Sequence, residues 1–214
     1  MQVEIWSDVA CPWCYVGLAR FERAVEQTGV EVDVVFRAFE LDPTVATGMS
    51  SPLLTDYLAR KFGDLSRVRA AHARLTDAGS ELGIDFRWEG MRRANTFDAH
   101  RLLSWALAED GAASQRVLKK ALLRSYFTDG LDVADHTVLA NLATGAGLDA
   151  SKAAAVLSSD RYVDHVRGER DTAHRNGIAA VPTFVVDEGW MLQGAHDAEA
   201  WVRTLTKMDQ ARAR

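Results

Sequence analysis

Cysteine is almost missing from this sequence. Two occur among 214 residues, Cys11 and Cys14, three positions apart. A framework of structural disulfides needs more cysteines and an oxidising compartment, so a stapled secreted scaffold is excluded. A zinc site is short of ligands, because His72, His100, His136, His165, His174 and His196 are scattered and supply no second close pair. No metal is expected. No apolar run is long enough to span a membrane, and the opening Met-Gln-Val-Glu-Ile-Trp carries an acid at position 4, with no basic stretch before a hydrophobic one. The expectation is a cytoplasmic protein with no membrane partner. Basic stripes are missing too: the net charge is −5 and the pI about 5.7, so nucleic acid is not an expected partner. Internal repeats and low-complexity segments are also lacking.

What is present is a sizeable core, with 48% hydrophobic residues. Val3 to Asp8 reads as a buried strand. From Pro12 to about Gln27, Leu18, Phe21 and Val25 recur at helical spacing, and Gly29 suits the stop. Glu31 to Phe39 alternates, placing Val32, Val34, Phe36 and Ala38 on one face of a second strand. Strand, helix and strand make a parallel crossover unit. From Pro52 to Asn176 the pattern is almost wholly helical. One stripe is Val68, Ala71, Leu75, Ala78 and Leu82. Asn95 and Thr96 offer an N-cap before Leu102, Leu103 and Ala106, with Asp98 placed to bond back towards it. Ser114 can cap a helix carrying Val117, Leu118, Ala121, Leu122 and Tyr126. Asp135, Asp149 and Asp160 can start three more. The sheet resumes at Val181 to Val186, turns at Asp187 to Gly189 and returns from Trp190 to Gln193. A final helix runs from about Ala195 to Met208, and Lys207 to Arg214 reads as a frayed end. The expected fold class is α/β: a mixed sheet flanked by helices, in two chain segments (1–50 and 161–214), split by an all-helical insertion (51–160).

Cys11 stands where a strand ends and a helix begins. The first helical N–H groups lack intrahelical partners and the macrodipole is positive there, so both favour a thiolate. Pro12 suits the first helical position, where its missing N–H is no loss. Cys14 lies one turn deeper on the same face. The asymmetry suggests that Cys11 attacks and Cys14 resolves the mixed disulfide. A purely structural bridge would close too small a loop to stabilise much. Pro182, at the start of an apolar strand, reads on its own as an ordinary strand-start proline.

The run Asp8 to Gly17, containing Cys11-Pro12-Trp13-Cys14, then Phe39 to Pro43, Asn95-Thr96 with Ala99 to Leu102, Val181-Pro182-Thr183-Phe184 and Gln193 to Ala195 together resemble the DsbA family of thiol–disulfide oxidoreductases. The branch most similar is that of the FrnE-like dithiol–disulfide isomerases. The resemblance implies a thioredoxin fold with a helical insertion and a cis Pro182 facing the cysteine pair. It implies protein thiols and disulfides as partners, with no cofactor beyond the redox-active Cys11–Cys14 disulfide. Glutathione stays open as a co-substrate. The same family holds kappa-class glutathione transferases and 2-hydroxychromene-2-carboxylate isomerases, which typically carry serine at the position of Cys11 and lack the second cysteine. Both cysteines here favour disulfide exchange over glutathione-dependent chemistry on a small molecule.

The substrate-binding candidates are Pro12, Trp13, Val181, Pro182 and Asn95. Trp13 is expected to be an exposed aromatic that meets the partner, and Asn95 either caps a helix or binds ligand. Asp8 either tunes Cys11 or is a solvated carboxylate at a strand end. Glu40 and Asp42 either line the groove or sit idle on the same sheet edge. His100 has no evident partner. Trp6, Trp88, Trp105, Trp190 and Trp201 read as core or seam.

Overall fold

The computed structural model describes residues 1–45, 52–187 and 189–212. The expected segment boundary at residues 50 and 51, and Glu188 of the expected turn, lie outside the described residues. The elements are β1 (Gln2–Ser7), α1 (Pro12–Thr28), β2 (Asp33–Ala38), α2 (Leu54–Phe62), α3 (Leu65–Ser80), α4 (Phe97–Phe127), α5 (His136–Gly145), α6 (Ala150–Leu157), α7 (Val163–Arg175), β3 (Thr183–Val186), β4 (Trp190–Gln193) and α8 (Ala198–Arg212). They build a mixed sheet of order β2-β1-β3-β4. β1 pairs with β2 in parallel and with β3 antiparallel, so the crossover through α1 and the late β3–β4 hairpin meet on one central strand.

α1 forms as its sequence dictates. Pro12 occupies the start, Leu18 and Phe21 face inward, and Gly29 takes the left-handed conformation that ends it, its N–H bonded to the Val25 carbonyl at 2.9 Å. Phe21 packs edge-on against Trp201 of α8 and tilted against Phe184 of β3. The outer edge of β2 is closed by side chains. Gln115 of α4 accepts from the Phe36 N–H and donates to the Phe36 carbonyl, both at 2.9 Å, imitating a neighbouring strand. Glu169 of α7 accepts from the Ala38 N–H at 2.7 Å. These bonds protect an edge that would otherwise be open to pairing. Buried side chains of β1, β2 and α1 belong to one continuous cluster with those of α4, α5 and α6.

The helical middle departs from the periodicity reading in several places. Residues 81–96 form no helix; Phe86 and Trp88 stack there at 4.9 Å, and Trp88 stacks on His72 at 4.0 Å. α3 buries Val68, His72, Leu75 and Gly79, so His72 takes the inward place that Ala71 was expected to hold. α4 breaks at Gly111, whose φ of 84° suits glycine alone, and Ser114 lies inside the second half rather than capping it. The inward face of that half is Gln115, Leu118, Lys119, Leu122, Leu123 and Tyr126, while Val117 points out. Thr96 is the N-cap residue of α4 without a side-chain cap, and Asp98 pairs with Arg101 and His136 instead of bonding back. Asp135 and Asp149 cap α5 and α6, but α7 starts after Tyr162, with Asp160 contributing only its carbonyl. α8 stays helical to Arg212, through most of the stretch expected to fray. Trp6, Trp105 and Trp201 are core, whereas Trp190 is 63% exposed on the outer strand β4.

Candidate active site

β1 ends at Ser7, and three residues later the chain turns into α1 with Cys11 as the N-cap residue, extended at φ −99° and ψ 110°. The Cys14 N–H bonds the Cys11 carbonyl at 3.0 Å, which folds the tetrapeptide into the first helical turn. Both cysteines are free thiols and buried. The Cys11 Sγ–H donates to the Val181 carbonyl at 3.6 Å. The Val181–Pro182 peptide is cis. Strand β3 begins immediately after it, so the sheet brings the two segments together across 170 residues of sequence. Pro182 packs on α1 at Gly17, where an added Cβ would lie 3.0 Å from the Pro182 ring. Burial first, then the neighbouring Cys11, push the Cys14 thiol well above the ordinary cysteine range.

Three buried charged or polar side chains lie around the end of β1 next to the pair. Asp8 is not a solvated carboxylate. It accepts from the Leu41 N–H at 2.7 Å and the Ala10 N–H at 3.3 Å, and lies 3.4 Å from the His100 Nε2. Burial acts to raise its carboxyl, but the His100 contact, the Leu41 amide and Thr96 outweigh it and hold Asp8 below the ordinary range. His100 thus has Asp8 as its partner. Lys119, 0% exposed, donates to the Ser7 carbonyl at 3.4 Å and lies 5.7 Å from the Phe36 ring centre. Burial lowers its ammonium from the usual lysine value, against the opposing pull of Cys14, Asp8 and Cys11.

Above the pair opens a cavity of about 640 Å³, within the range of about 300–1,000 Å³ usual for ligand pockets. Its floor is Asp8, Ala10, Cys11 and Pro12, one lip is Trp13 and Val181, and the far wall is α2, α3 and the segment around Trp88 and Arg93. Most of the wall is apolar: Leu54, Leu58, Val68, Leu75 and Tyr126 contribute. Asp42 ties the wall together. It accepts from Tyr57 Oη at 2.9 Å and Thr44 Oγ1 at 2.6 Å and pairs with Arg93, whose guanidinium lies on the Tyr57 ring at 3.7 Å. Thr44, Tyr57 and Arg93 together overcome the effect of burial and lower the Asp42 carboxyl to about 2.

Of the sequence candidates, Cys11, Pro12, Trp13 and Val181 meet at the cavity, and Trp13 is 40% exposed at its lip. Pro182 is adjacent but buried against α1 and does not line it. Asn95 does not line it either: its Oδ1 accepts from the Phe97 N–H at 3.0 Å and its Nδ2 donates to the Val45 carbonyl at 2.6 Å, so both ends are spent inside the fold. Asp42 lines the groove and Glu40 does not; burial raises the Glu40 carboxyl. Sequence reasoning missed Lys119 and Arg93. Lys119 could have been found, because it falls one turn from Gln115, Leu122 and Leu123 on the inward face of α4. For Arg93, in a segment without periodicity, there was no signal.

Compared with known proteins, residues 2–206 match the model of the DSBA-like thioredoxin domain. The probable DsbA oxidoreductase SCO1869 from Streptomyces coelicolor is 38% identical, covers 97% of this chain and 89% of its own, and superposes with a TM-score of 0.89. The uncharacterized protein YwbO of Bacillus subtilis (strain 168) is 25% identical over 195 residues, 88% of each chain. The cytosolic disulfide reductase DsbM from Pseudomonas aeruginosa, in its structure with GSH, shares the fold at 18% identity and a TM-score of 0.67, covering 98% of this chain and 100% of its own.

Proposed function

The chain belongs to the DSBA-like thioredoxin domain family, and from that premise we propose that it catalyses thiol–disulfide exchange on protein or low-molecular-weight disulfides, with Cys11 as nucleophile and Cys14 as resolving thiol. One observation carries the proposal: the Cys11 sulfur, at the N-cap of α1, lies against the Val181 carbonyl at the floor of a cavity large enough for a substrate. The Cys11 thiolate attacks a substrate disulfide. One S–S bond breaks, its electron pair leaves on the second substrate sulfur, which takes up a proton, and a mixed disulfide with Cys11 forms. Cys14, deprotonated, then attacks the Cys11 sulfur. The Cys11–Cys14 bond forms, the substrate sulfur held in the mixed disulfide is expelled and protonated, and the enzyme is left oxidised. Run backwards, the same steps oxidise a dithiol.

The backbone beside Pro182 suits an extended substrate segment, which can pair with a strand start while presenting its sulfur to Cys11. An isomerase of the FrnE-like type would use the same pair in both directions. The cavity favours a second reading, glutathione-dependent conversion of a small molecule. It is mostly apolar, and Lys61 and Arg67 on its wall could face the carboxylates of GSH, the molecule present with DsbM. Insulin reduction, refolding of a scrambled disulfide substrate and GSH affinity, measured side by side, separate these readings. Cys11→Ser should abolish exchange, and Cys14→Ser should accumulate mixed disulfide. Normal insulin turnover by Cys14→Ser refutes the resolving role; turnover of a small molecule with GSH but no protein exchange favours the second reading.

A further inference from the structure

The two edges of the sheet are finished differently. β2 is closed by the Gln115 amide and the Glu169 carboxylate. β4 is the opposite edge, and no element among the described residues pairs with its outer side. The direction of its backbone groups follows from the ladder. The Gly194 N–H donates to the Pro182 carbonyl at 2.8 Å, and β3 is in register with β4 as Phe184 with Leu192 and Val186 with Trp190. Hydrogen-bonded pairs alternate along an antiparallel ladder. Trp190, Leu192 and Gly194 therefore bond inward to β3, while the N–H and C=O groups of Met191 and Gln193 turn outward. Natural edge strands are blunted by lysine, proline, a bulge or a covering element. Trp190-Met191-Leu192-Gln193 carries no charge and no proline, and its register with β3 runs without a bulge. Two of its side chains are large, apolar and exposed, Trp190 at 63% and Met191 at 49%.

We infer that β4 is a self-association edge: a second copy of this chain pairs antiparallel to it about a two-fold axis through Leu192, joining the two sheets into one. The outward groups fix this register. Met191 stands opposite the second copy's Gln193, and Gln193 opposite its Met191, so each pair exchanges N–H···O bonds in both directions. An axis through Met191 or Gln193 would pair the other of the two with a residue beyond the strand. Trp190 stands opposite the second copy's Gly194, which has no side chain and leaves room for the indole to lie across it. The same contact recurs in the other copy, as an isologous interface requires. A tryptophan offers up to about 250 Å², so two indoles at 63% exposure present roughly 300 Å² to be covered. With the four-residue strands themselves, the contact stays below the about 1,200 Å² of stable complexes. The dimer is therefore weak, with a dissociation constant of about 10–100 µM. No β4 residue lines the cavity over the cysteines, so the exchange proposed there does not need the pairing.

Sedimentation equilibrium of the reduced full-length protein, from about 1 to about 300 µM, tests this, and the average mass should climb from that of the monomer towards about twice that value. Met191→Pro removes an outward N–H and sets a ring in the new ladder without breaking a bond to β3. It should stay monomeric throughout and reduce insulin as the wild type does. Trp190→Ala changes a side chain that is already exposed, should weaken association about tenfold or more, and stands in for Met191→Pro should that variant not fold. The register is read by cross-linking in a Cys11→Ser/Cys14→Ser background. Leu192→Cys puts the two copies' Cα atoms about 4.5 Å apart on the axis, within disulfide reach, and should oxidise to a covalent dimer. Gln193→Cys, which stands opposite Met191 instead of its own copy, should not. A monomer at every concentration overturns the inference, as does association that Met191→Pro and Trp190→Ala both leave unchanged, or cross-linking through Gln193→Cys as readily as through Leu192→Cys. If the wild type stays monomeric and Met191→Pro slows insulin reduction, the edge holds an extended substrate segment and not a second copy.

Discussion

Gly17 gives a prediction whose sign depends on the site geometry. It lies inside α1, and glycine in a helix interior costs about 1 kcal/mol relative to alanine. By propensity alone, Gly17→Ala should stabilise the protein. In the structure, however, the new Cβ would sit 3.0 Å from Pro182 Cγ and 3.3 Å from both Cα and Cβ of Ala195. The Ala195 contact involves backbone, and that backbone is pinned by Arg20, whose Nη1 donates to the Ala195 carbonyl at 2.9 Å. Neither neighbour can escape by rotating a side chain. Overpacking of this kind costs roughly 1–3 kcal/mol, so the propensity gain is cancelled or exceeded and a net loss of up to about 2 kcal/mol is expected. The displacement falls where it matters, because relief requires the 181–182 segment to move off α1 and so away from the Cys11 sulfur. Urea unfolding gives the stability change, and insulin reduction gives the exchange rate. A Gly17→Ala protein that gains the full propensity term and exchanges at the wild-type rate would show that the close approach of α1 to Pro182 has no role in holding the site.

Two further outcomes follow from the buried bonds. Gln115→Leu keeps the volume but leaves the Phe36 N–H and carbonyl without their partners; at about 1–3 kcal/mol for each stranded group, a loss of roughly 2–6 kcal/mol is expected in chemical denaturation, and a loss below 1 kcal/mol would mean that water or another group replaces the amide. The Asp42 carboxyl is depressed to about 2, so its contribution is fully present above the ordinary carboxylate pKa of about 3.8 and is lost as pH falls through about 2. The near-ultraviolet signal of the α2 wall should therefore weaken between about pH 4 and pH 2 in the wild type but stay flat in Asp42→Asn; an identical acid transition in both would assign it to other carboxylates.

Local chemistry made the order of elements and the cysteine pair at the start of a helix legible without coordinates. A strand, a Cys-Pro-x-Cys helix start and a glycine stop use only neighbours in the chain, and α1 follows them to within a residue. Helix caps at Asp135 and Asp149 were legible for the same reason. Periodicity also placed α3 and the two halves of α4, but it could not choose the inward face where polar residues occupy it: His72 on α3 and Gln115 and Lys119 on α4 are buried because each meets a partner surface on another element. The same limit hid the state of Asp8. Its burial depends on the Leu41 amide and His100, and the latter lies 92 positions away. The sequence by itself therefore determined which sulfur stands at a helix start and which lies a turn behind it, since both are matters of spacing within one turn. Only the tertiary structure decided that Val181 meets Cys11, that α2 and α3 wall a cavity over the pair and that Lys119 is buried against the Ser7 carbonyl, because those contacts depend on packing between segments that are distant in the chain.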